Sequence, residues 1–456
     1  MGHPNWLQYQ PKPKMPYTKR DPGLLPFPTM NISRTLLLFT VILPLAAQTT
    51  SKTPAVTKQT DPLAVHNSAI VIDTHADTTQ RMLDDDYDLT DALKGGYLNF
   101  ESARKGNLGA EFFSIWVDPK TYTGHDAHRT LELIDAVYQQ AAKHPQQMRM
   151  AYSPEDIVAA HSEHKLAALM GVEGGHSIEN SLGLLRDYYR LGVRYMTLTW
   201  SNSNGWADSS GDIDDPAVPH TKDGLSDFGK DVVYEMNRLG MMVDISHVSD
   251  KTFYRTLIIS RAPVIASHSA ARALCNSPRN MDDNMLRAVG QYGGVVMVNF
   301  YSSFLSEEYR LAAKAQEPVI KQAVADAEAK LKEDGKPIPN ELTEDIGKTY
   351  MAKIPRPPFS VLIDHIDHIA KIAGIDHVGL GSDFDGIPSS PQGMDSAADL
   401  PKITQALMAR GYSAEDMNKI LGGNFLRVFA QVQEVSKQLQ SETRPRITEK
   451  QPFDKK

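Results

Sequence analysis

Eight short apolar segments, each followed by an amphipathic stretch, recur along the chain between residues 61 and 435. Apolar strands that alternate with helical patterns are typical of parallel βαβ units, and eight such units fit a closed (β/α)8 TIM-type barrel. An open, doubly wound α/β sheet is the alternative, but no glycine-rich phosphate-binding turn follows the first segment. We therefore predict an α/β barrel with strands at residues 69–77, 110–117, 166–173, 194–200, 241–247, 263–268, 293–300 and 377–383.

The charge balance of the 456-residue chain excludes one class of partner. Lys and Arg number 48 against 56 Asp and Glu, which gives a net charge of −8. No basic surface for nucleic acid is expected from this balance, so we predict no nucleic-acid partner. The lone cysteine, Cys275, can form no internal disulfide and cannot build a cysteine-based zinc ribbon. The fifteen histidines, by contrast, can supply imidazole ligands for a metal ion.

Both ends of the chain differ in composition from the barrel segment. Arg34, an apolar run and two alanines have the order of a secretory signal peptide at about residues 30–47, and the run is too short to span a bilayer. A buried hydrophobic helix is the alternative. We expect residues 1–60 to be a leader and linker, and residues 436–456 to be a polar tail without a lipid-anchor signal. The sequence thus predicts an exported protein, periplasmic or secreted, with no stable membrane anchor.

One stretch inside the barrel segment breaks the alternation of strands and helices. Residues 306–355 are rich in Ala, Glu and Lys, and they lengthen one strand-to-helix connection well beyond the usual few residues. We expect a solvated helical insertion here; a lid or a subunit contact is the alternative.

Acidic and imidazole side chains stand where the predicted strands end. His75 and Asp77 are two residues apart on the first strand, so both can point toward one metal ion. The whole group consists of His75, Asp77, Glu173, His247, His268 and Asp383. Barrel enzymes build their active sites at the carboxyl ends of the strands. Because unpaired buried charges are costly, a metal centre explains such a group better than packing does.

Three imidazoles and two carboxylates are too many ligands for one tetrahedral zinc ion with an open position. They suit two ions about 3.5–4 Å apart that share a carboxylate and a hydroxide. Glu173 is the natural bridge, because it has two oxygens and is followed by two glycines. Histidine-rich ligand sets favour zinc, with manganese or cobalt as alternatives. We predict two zinc ions bridged by Glu173 and a hydroxide.

Seven segments together resemble the membrane dipeptidase (renal dipeptidase) family of metallopeptidases: VIDTHAD, GVEGGHS, DISHVS, RAPVIASHS, VMVNFY, GLGSDFDG and GGNFLRV. They occur in the family's order and spacing over about residues 69–430. The resemblance implies an exported, bacterial-type member with a (β/α)8 barrel and a binuclear zinc centre that hydrolyses dipeptides. A small peptide substrate, tolerance of D-residues at its C-terminal position and a homodimer are further implications.

The resemblance also implies a role for each site residue. The two ions would be held by His75, Asp77, Glu173, His247 and His268. The substrate carboxylate would be bound by Arg279, which can clamp it in a bidentate fork, and Asp383 would move the proton from the attacking water to the leaving amine. One position departs from the family pattern, because Trp200 stands where typical animal members have a substrate-contacting histidine. An indole N–H can only donate a hydrogen bond, so we expect an altered substrate pose at Trp200.

Two other functions stay open at this point. A binuclear amidohydrolase acting on another small amide, lactam or ester could use the same residues, and Trp200 keeps this alternative open. A non-catalytic binding barrel is the second alternative. Retention of all five ligands together with Asp383 argues against it, since a binding barrel has no need of them.

Overall fold

The computed structural model describes residues 61–446, except residue 222 and residues 337–341. The predicted leader and linker, with the signal peptide at about 30–47, lie outside the described residues. Within the described part, the strands are β1 Val71–Ala76, β2 Leu108–Trp116, β3 Met148–Met150, β4 Leu166–Glu173, β5 Val193–Thr197, β6 Met242–Asp244, β7 Ile265–Ser269, β8 Val295–Val298 and β9 Val378–Leu380.

Eight of these strands close into a parallel barrel. Their order is β1, β9, β8, β7, β6, β5, β4 and β2, and β2 closes the ring by pairing with β4 on one side and with β1 on the other. The remaining strand, β3, pairs with the first residues of β4. The predicted (β/α)8 barrel is therefore confirmed, and each of the eight predicted segments contains or overlaps one barrel strand.

Several predicted strands are longer than the observed ones. The chain leaves the sheet after Asp244 and after Leu380, so His247 and Asp383 lie in loops beyond β6 and β9. Both residues have a positive φ, of 64°, which is uncommon for a residue other than glycine and ends a strand. Trp200 likewise lies beyond the end of β5.

Helices fill the connections between the strands, and many begin at a Ser or Asp cap, as at Ser226, Ser249 and Asp282. In the described residues they are α1 Pro62–Ser68, α2 Thr78–Asp84, α3 Phe100–Lys105, α4 Asp126–Lys143, α5 Pro154–Ser162, α6 Leu182–Arg190, α7 Asp227–Leu239, α8 Asp250–Ile259, α9 Asp283–Gln291, α10 Ser302–Leu305, α11 Glu307–Glu333, α12 Leu342–Met351, α13 Ser360–Ala373, α14 Pro401–Ala409, α15 Ala414–Asn418 and α16 Asn424–Glu442. None of the helices in this part of the chain combines the length and the apolar character that a membrane crossing requires.

The barrel interior is filled with apolar side chains from the strands and from α16. Ile72, Phe112 and Met242 come from different strands and share one buried cluster with Phe425 and Phe429 of the helix. The rings of Phe112 and Phe425 meet edge to face at 5.2 Å. This packing leaves the opposite end of the barrel, where the strands end, as the place for polar chemistry.

Two of the predicted segment boundaries can be compared with the helices. The stretch 306–355 contains α11 and α12, and of α11 mainly Tyr309 and Ala313 are buried; a role as lid or subunit contact stays a prediction.

The polar tail predicted from residue 436 begins too early. Helix α16 continues to Glu442, and Leu439 is buried while Ser436 Oγ donates to Arg238 O at 2.8 Å.

Candidate metal centre

The Glu173 carboxylate lies at the centre of the predicted ligand group. Its Oε2 is 3.2 Å from His75 Nε2, and its Oε1 is 2.9 Å from His247 Nε2 and 3.5 Å from His268 Nε2. The Nε2 atoms of His247 and His268 are themselves 2.9 Å apart. One ligand atom from each of His75, Glu173 and His268 lies within 4.8 Å of the other two, so these three residues could hold a metal ion.

A second carboxylate group adjoins His75. Asp77 Oδ2 is 3.6 Å from His75 Nε2, and one ligand atom from each of His75, Asp77 and Asp383 lies within 4.8 Å of the other two. Among the described residues, the buried Asp77 Oδ1 finds no hydrogen-bond donor. A cation would satisfy this oxygen, and imidazole with carboxylate is a donor set that divalent transition metals accept. The cluster can therefore hold metal.

The electrostatics of His247, His268 and Glu173 suit ligands for a cation, whereas, against the effect of burial, Tyr195 and Glu173 raise the pKa of His75 well above its usual range. Burial, with a contribution from Arg279, lowers the pKa of His247 to about 4. Burial and the neighbouring His75 hold the pKa of His268 well below its usual range, so both imidazoles are neutral at pH 7. Burial acts against ionisation of Glu173, yet the surrounding imidazoles keep its pKa well below the usual range. Neutral imidazoles and an ionised carboxylate are the forms that bind metal.

Each imidazole turns its Nε2 toward the cluster and its Nδ1 toward a hydroxyl group. His75 Nδ1 is 2.7 Å from the Tyr195 hydroxyl, and His268 Nδ1 is 2.8 Å from Ser267 Oγ. Ser267 Oγ in turn donates to Asp244 Oδ2 at 2.6 Å. The third imidazole, His247, has a longer contact, of 3.4 Å, between its Nδ1 and Ser201 Oγ. Outer contacts of this kind orient metal-binding histidines. None of these hydroxyl partners was predicted from the sequence. Ser267 is the one that a signal in the sequence could have found, because it directly precedes His268.

Local backbone contacts place the two loop residues. Ser210 N donates to His247 O at 2.7 Å, and Asp383 N donates to His75 O at 2.9 Å. Asn299 Nδ2 then donates to Asp383 Oδ2 at 2.8 Å. Burial raises the pKa of Asp383 to about 8, and the nearby Asp77 contributes to the rise.

Room for the two aspartates comes from Gly386. A Cβ atom at this position would lie 2.0 Å from Asp77 Oδ2 and 2.7 Å from Asp383 Oδ1. Only glycine therefore leaves both carboxylates where they are.

The predicted substrate-binding residues flank the cluster. Arg279 Nη2 donates to His268 O at 3.0 Å, and its guanidinium lies 5.2 Å from the centre of the Phe304 ring. Burial lowers the pKa of Arg279 to about 10, so its charge persists at neutral pH. Its Nε atom is buried and lacks an acceptor among the described residues. A carboxylate from a ligand would supply that acceptor.

Trp200 lies beside His247. Its ring centre is 6.4 Å from that of His247 and 4.9 Å from that of Trp116. The structure thus brings the six predicted metal and acid–base residues together and places Arg279 and Trp200 beside them. Trp116, at the end of β2, was not predicted.

Comparison with known proteins shows the same relationship in sequence and in structure. The chain is 34% identical to Dipeptidase 3 of Mus musculus over 340 residues, which are 75% of this chain and 59% of the mouse protein. It thus spans about three-fifths of the length of that curated relative. The fold is similar to the crystal structure of the probable dipeptidase PvdM from Pseudomonas aeruginosa (TM-score 0.66, 26% identity, 82% of this chain and 98% of the other).

A second solved structure gives the same result. It is a metallo peptidase from Rhodobacter sphaeroides liganded with a phosphinate mimic of the dipeptide L-Ala-D-Ala (TM-score 0.64, 25% identity, 80% of this chain and 99% of the other). The family model described as membrane dipeptidase (peptidase family M19) matches residues 60–443, a range that includes the entire barrel and all of the residues of the cluster. The chain therefore belongs to the membrane dipeptidase family, peptidase family M19.

Proposed function

We propose that the protein is a zinc-dependent dipeptidase that holds two zinc ions through His75, Asp77, Glu173, His247 and His268, with Glu173 as the bridge. The observation that carries this proposal is the Glu173 carboxylate, whose Oε2 lies 3.2 Å from His75 Nε2 and whose Oε1 lies 2.9 Å from His247 Nε2. When bound, the two ions would supply a nucleophilic hydroxide at neutral pH and would polarise the scissile carbonyl group.

Asp383 is the proposed acid–base residue. Its carboxylate adjoins the ligand group and is held by the Asn299 amide at 2.8 Å. A carboxyl group in this position can take the proton of the attacking water and pass it to the leaving amine. Asn299 keeps Oδ2 oriented, and Oδ1 is the atom that lies toward Gly386.

Arg279 is the proposed anchor for the substrate's free carboxylate. The contact between its Nη2 and His268 O places the positive charge next to an imidazole of the ligand group. A carboxylate bound by this guanidinium brings the neighbouring peptide bond close to the cluster. This anchor selects the peptide bond that precedes a free C-terminal residue, and in a dipeptide that is the only peptide bond.

The indole pair Trp116 and Trp200 is proposed to contact the substrate beside His247. Trp200 lies beside His247 and can donate a hydrogen bond but cannot accept a proton. Tolerance of a D-residue at the C-terminal position is supported by the Rhodobacter sphaeroides relative, which was liganded with a mimic of L-Ala-D-Ala.

Export and dimer formation are also proposed. The signal-peptide pattern at about residues 30–47 supports export to the periplasm or the medium, and family resemblance supports a homodimer. Sequencing of the mature N-terminus tests the first proposal, and light scattering of the purified protein tests the second.

Amino-acid release from L,L- and L,D-dipeptides tests the proposed activity. The mature protein is stripped with a chelator and assayed before and after reloading with zinc. Cleavage that depends on zinc supports a metallodipeptidase, and the preferred stereoisomer reports on the pocket beside Trp200. If the fully metallated protein cleaves none of the dipeptides, another small amide, lactam or ester becomes the better substrate class, or the barrel only binds.

A further inference from the structure

The Tyr195 hydroxyl group contacts the Nδ1 side of His75 from inside the barrel. Tyr195 belongs to β5 and is fully buried. Its oxygen lies 2.7 Å from His75 Nδ1 and 3.1 Å from the backbone oxygen of Thr74. We propose that Tyr195 is a positioning residue, which fixes the tautomer and the ring orientation of His75 so that the Nε2 lone pair faces the metal centre. This inference rests on the proposed metal centre.

Proton counting at the hydroxyl group gives the direction of each hydrogen bond. A phenol has one proton to donate, and the Thr74 carbonyl oxygen can only accept. When Tyr195 donates to Thr74 O, its oxygen accepts the proton of His75 Nδ1–H. His75 Nε2 is then free of its proton when metal binds, and it points between Glu173 Oε2 and Asp77 Oδ2, at 3.2 and 3.6 Å. The opposite arrangement would put a proton on the atom that has to coordinate the ion.

The ring of Tyr195 is held in one place by its neighbours. A Cβ atom at Gly171 of β4 would lie 1.9 Å from Tyr195 Cζ, so a glycine is required opposite the ring. Gly171 and Tyr195 are direct partners in the β4–β5 ladder. The Phe112 ring covers the tyrosine at a centroid distance of 5.1 Å. The hydroxyl group therefore has a fixed position, as a partner that orients a ligand requires.

The other two imidazoles have separate partners. The Nδ1 of His268 contacts the hydroxyl group of Ser267, which donates a hydrogen bond to Asp244. The Nδ1 of His247 contacts the hydroxyl group of Ser201. Of these three imidazoles, His75 is the one that loses a hydrogen-bond partner when the Tyr195 hydroxyl group is removed. Since His75 Nε2 faces Glu173 Oε2 whereas His247 Nε2 faces Glu173 Oε1, one of the two ions should be affected more than the other.

Zinc affinity of the Tyr195→Phe variant tests the proposal. The metal-free protein is titrated with zinc in competition with a chelator, and cobalt(II) absorption is recorded in parallel. We expect one of the two ions to bind about 10- to 100-fold more weakly, as is typical when an outer partner is lost, and the other to bind as in the wild type. The cobalt spectrum should change for one equivalent only.

The matched control is Tyr188→Phe. Tyr188 is also fully buried, and its hydroxyl group donates to Ser177 O at 2.7 Å, so this variant loses a buried hydrogen bond that has no link to a ligand. We expect wild-type affinity for both ions in the control. An equal loss in both variants would mean that a general loosening of the barrel weakens binding, and this would overturn the proposal.

Two further outcomes are decisive. Wild-type affinity for both ions in Tyr195→Phe overturns the positioning role while the proposed dipeptidase function stands. Failure of the wild-type protein to bind zinc overturns both. If Tyr195→Phe does not fold, Tyr195→3-fluorotyrosine keeps the hydroxyl group and weakens it as an acceptor, and the same selective loss, smaller in size, is expected; unchanged affinity in that variant again refutes the proposal.

Discussion

The space at Gly386 gives a sharp test of how the two aspartates are arranged. In Gly386→Ala, the new Cβ would lie 2.0 Å from Asp77 Oδ2, whereas real Cβ contacts stay above 3.0 Å. The Asp77 carboxylate must therefore retreat by about 1 Å, given how steeply repulsion rises at short range. Gly386 lies outside the left-handed region of backbone conformations, so alanine adds no backbone strain of its own.

This displacement is large on the scale of metal coordination. Ligand distances at metal sites are fixed to about 0.2 Å, and a misplacement of about 1 Å at an active site costs about 100-fold in rate. We expect Gly386→Ala to retain less than two zinc ions per chain after dialysis and to lose at least about 100-fold in kcat/KM. Its unfolding midpoint, measured on the metal-free protein, should stay close to that of the wild type.

The matched control is Gly347→Ala on α12. A Cβ at Gly347 meets no atom of the described residues within 4 Å, and an alanine inside a helix stabilises it by about 0.5–1 kcal/mol relative to glycine. Zinc content is measured by atomic emission and activity by release of the free amino acid. Two zinc ions and full activity in Gly386→Ala would refute the placement of Asp77 and Asp383 described above.

Three further predictions follow from the site and one from the fold. Asp383→Asn should keep the metal but lose most turnover; unchanged kcat would remove its proton role. Arg279→Ala should mainly raise KM for dipeptides with a free carboxylate, and equal losses on C-terminally amidated dipeptides would contradict the clamp. Trp200→Ala should change the preference among N-terminal side chains while zinc content stays constant; an unchanged substrate ranking would place Trp200 outside the pocket. Against the effect of burial, Arg238 and Arg186 hold the pKa of Glu235 below its usual range, so this pair stabilises the fold above about pH 4.3 and its contribution is lost as the pH falls through the folded-state pKa. Glu235→Gln should therefore lower the urea midpoint more at pH 7 than at pH 3, and equal losses at both would contradict the assignment.

The sequence predicted the barrel because its strands are buried on both faces, which leaves continuous apolar runs such as LAALMGVE of β4. It missed β3 because this strand is only three residues long, and its MRM sequence pairs with one edge of β4. The end of α16 was placed too early because Ser436 reads as polar surface. In the structure its hydroxyl group satisfies the last turn of α7 and is buried there.

The site residues were predictable in identity but not in their backbone setting. An acid or imidazole after an apolar run marks the end of a strand, and this signal located Glu173 and His268. It could not reveal that His247 and Asp383 lie in loops with a positive φ. Tyr195 could not be found either, because its contact with His75 joins β5 to β1. Such pairs depend on which side chains meet inside the closed barrel, and one sequence contains no record of that.

Closure of the barrel also sets the order in which the chain can fold. The first strand, β1, pairs with the last, β9, and α16 packs its Phe425 and Phe429 against the interior side chains. Contacts this far apart in sequence form slowly, because the intervening loop has to be ordered first. A chain still being synthesised cannot complete its core until the last helix, α16, has emerged. Its apolar strands therefore stay exposed until synthesis is nearly finished. We expect a chain truncated before Asn424 to keep its apolar strands exposed and therefore to aggregate.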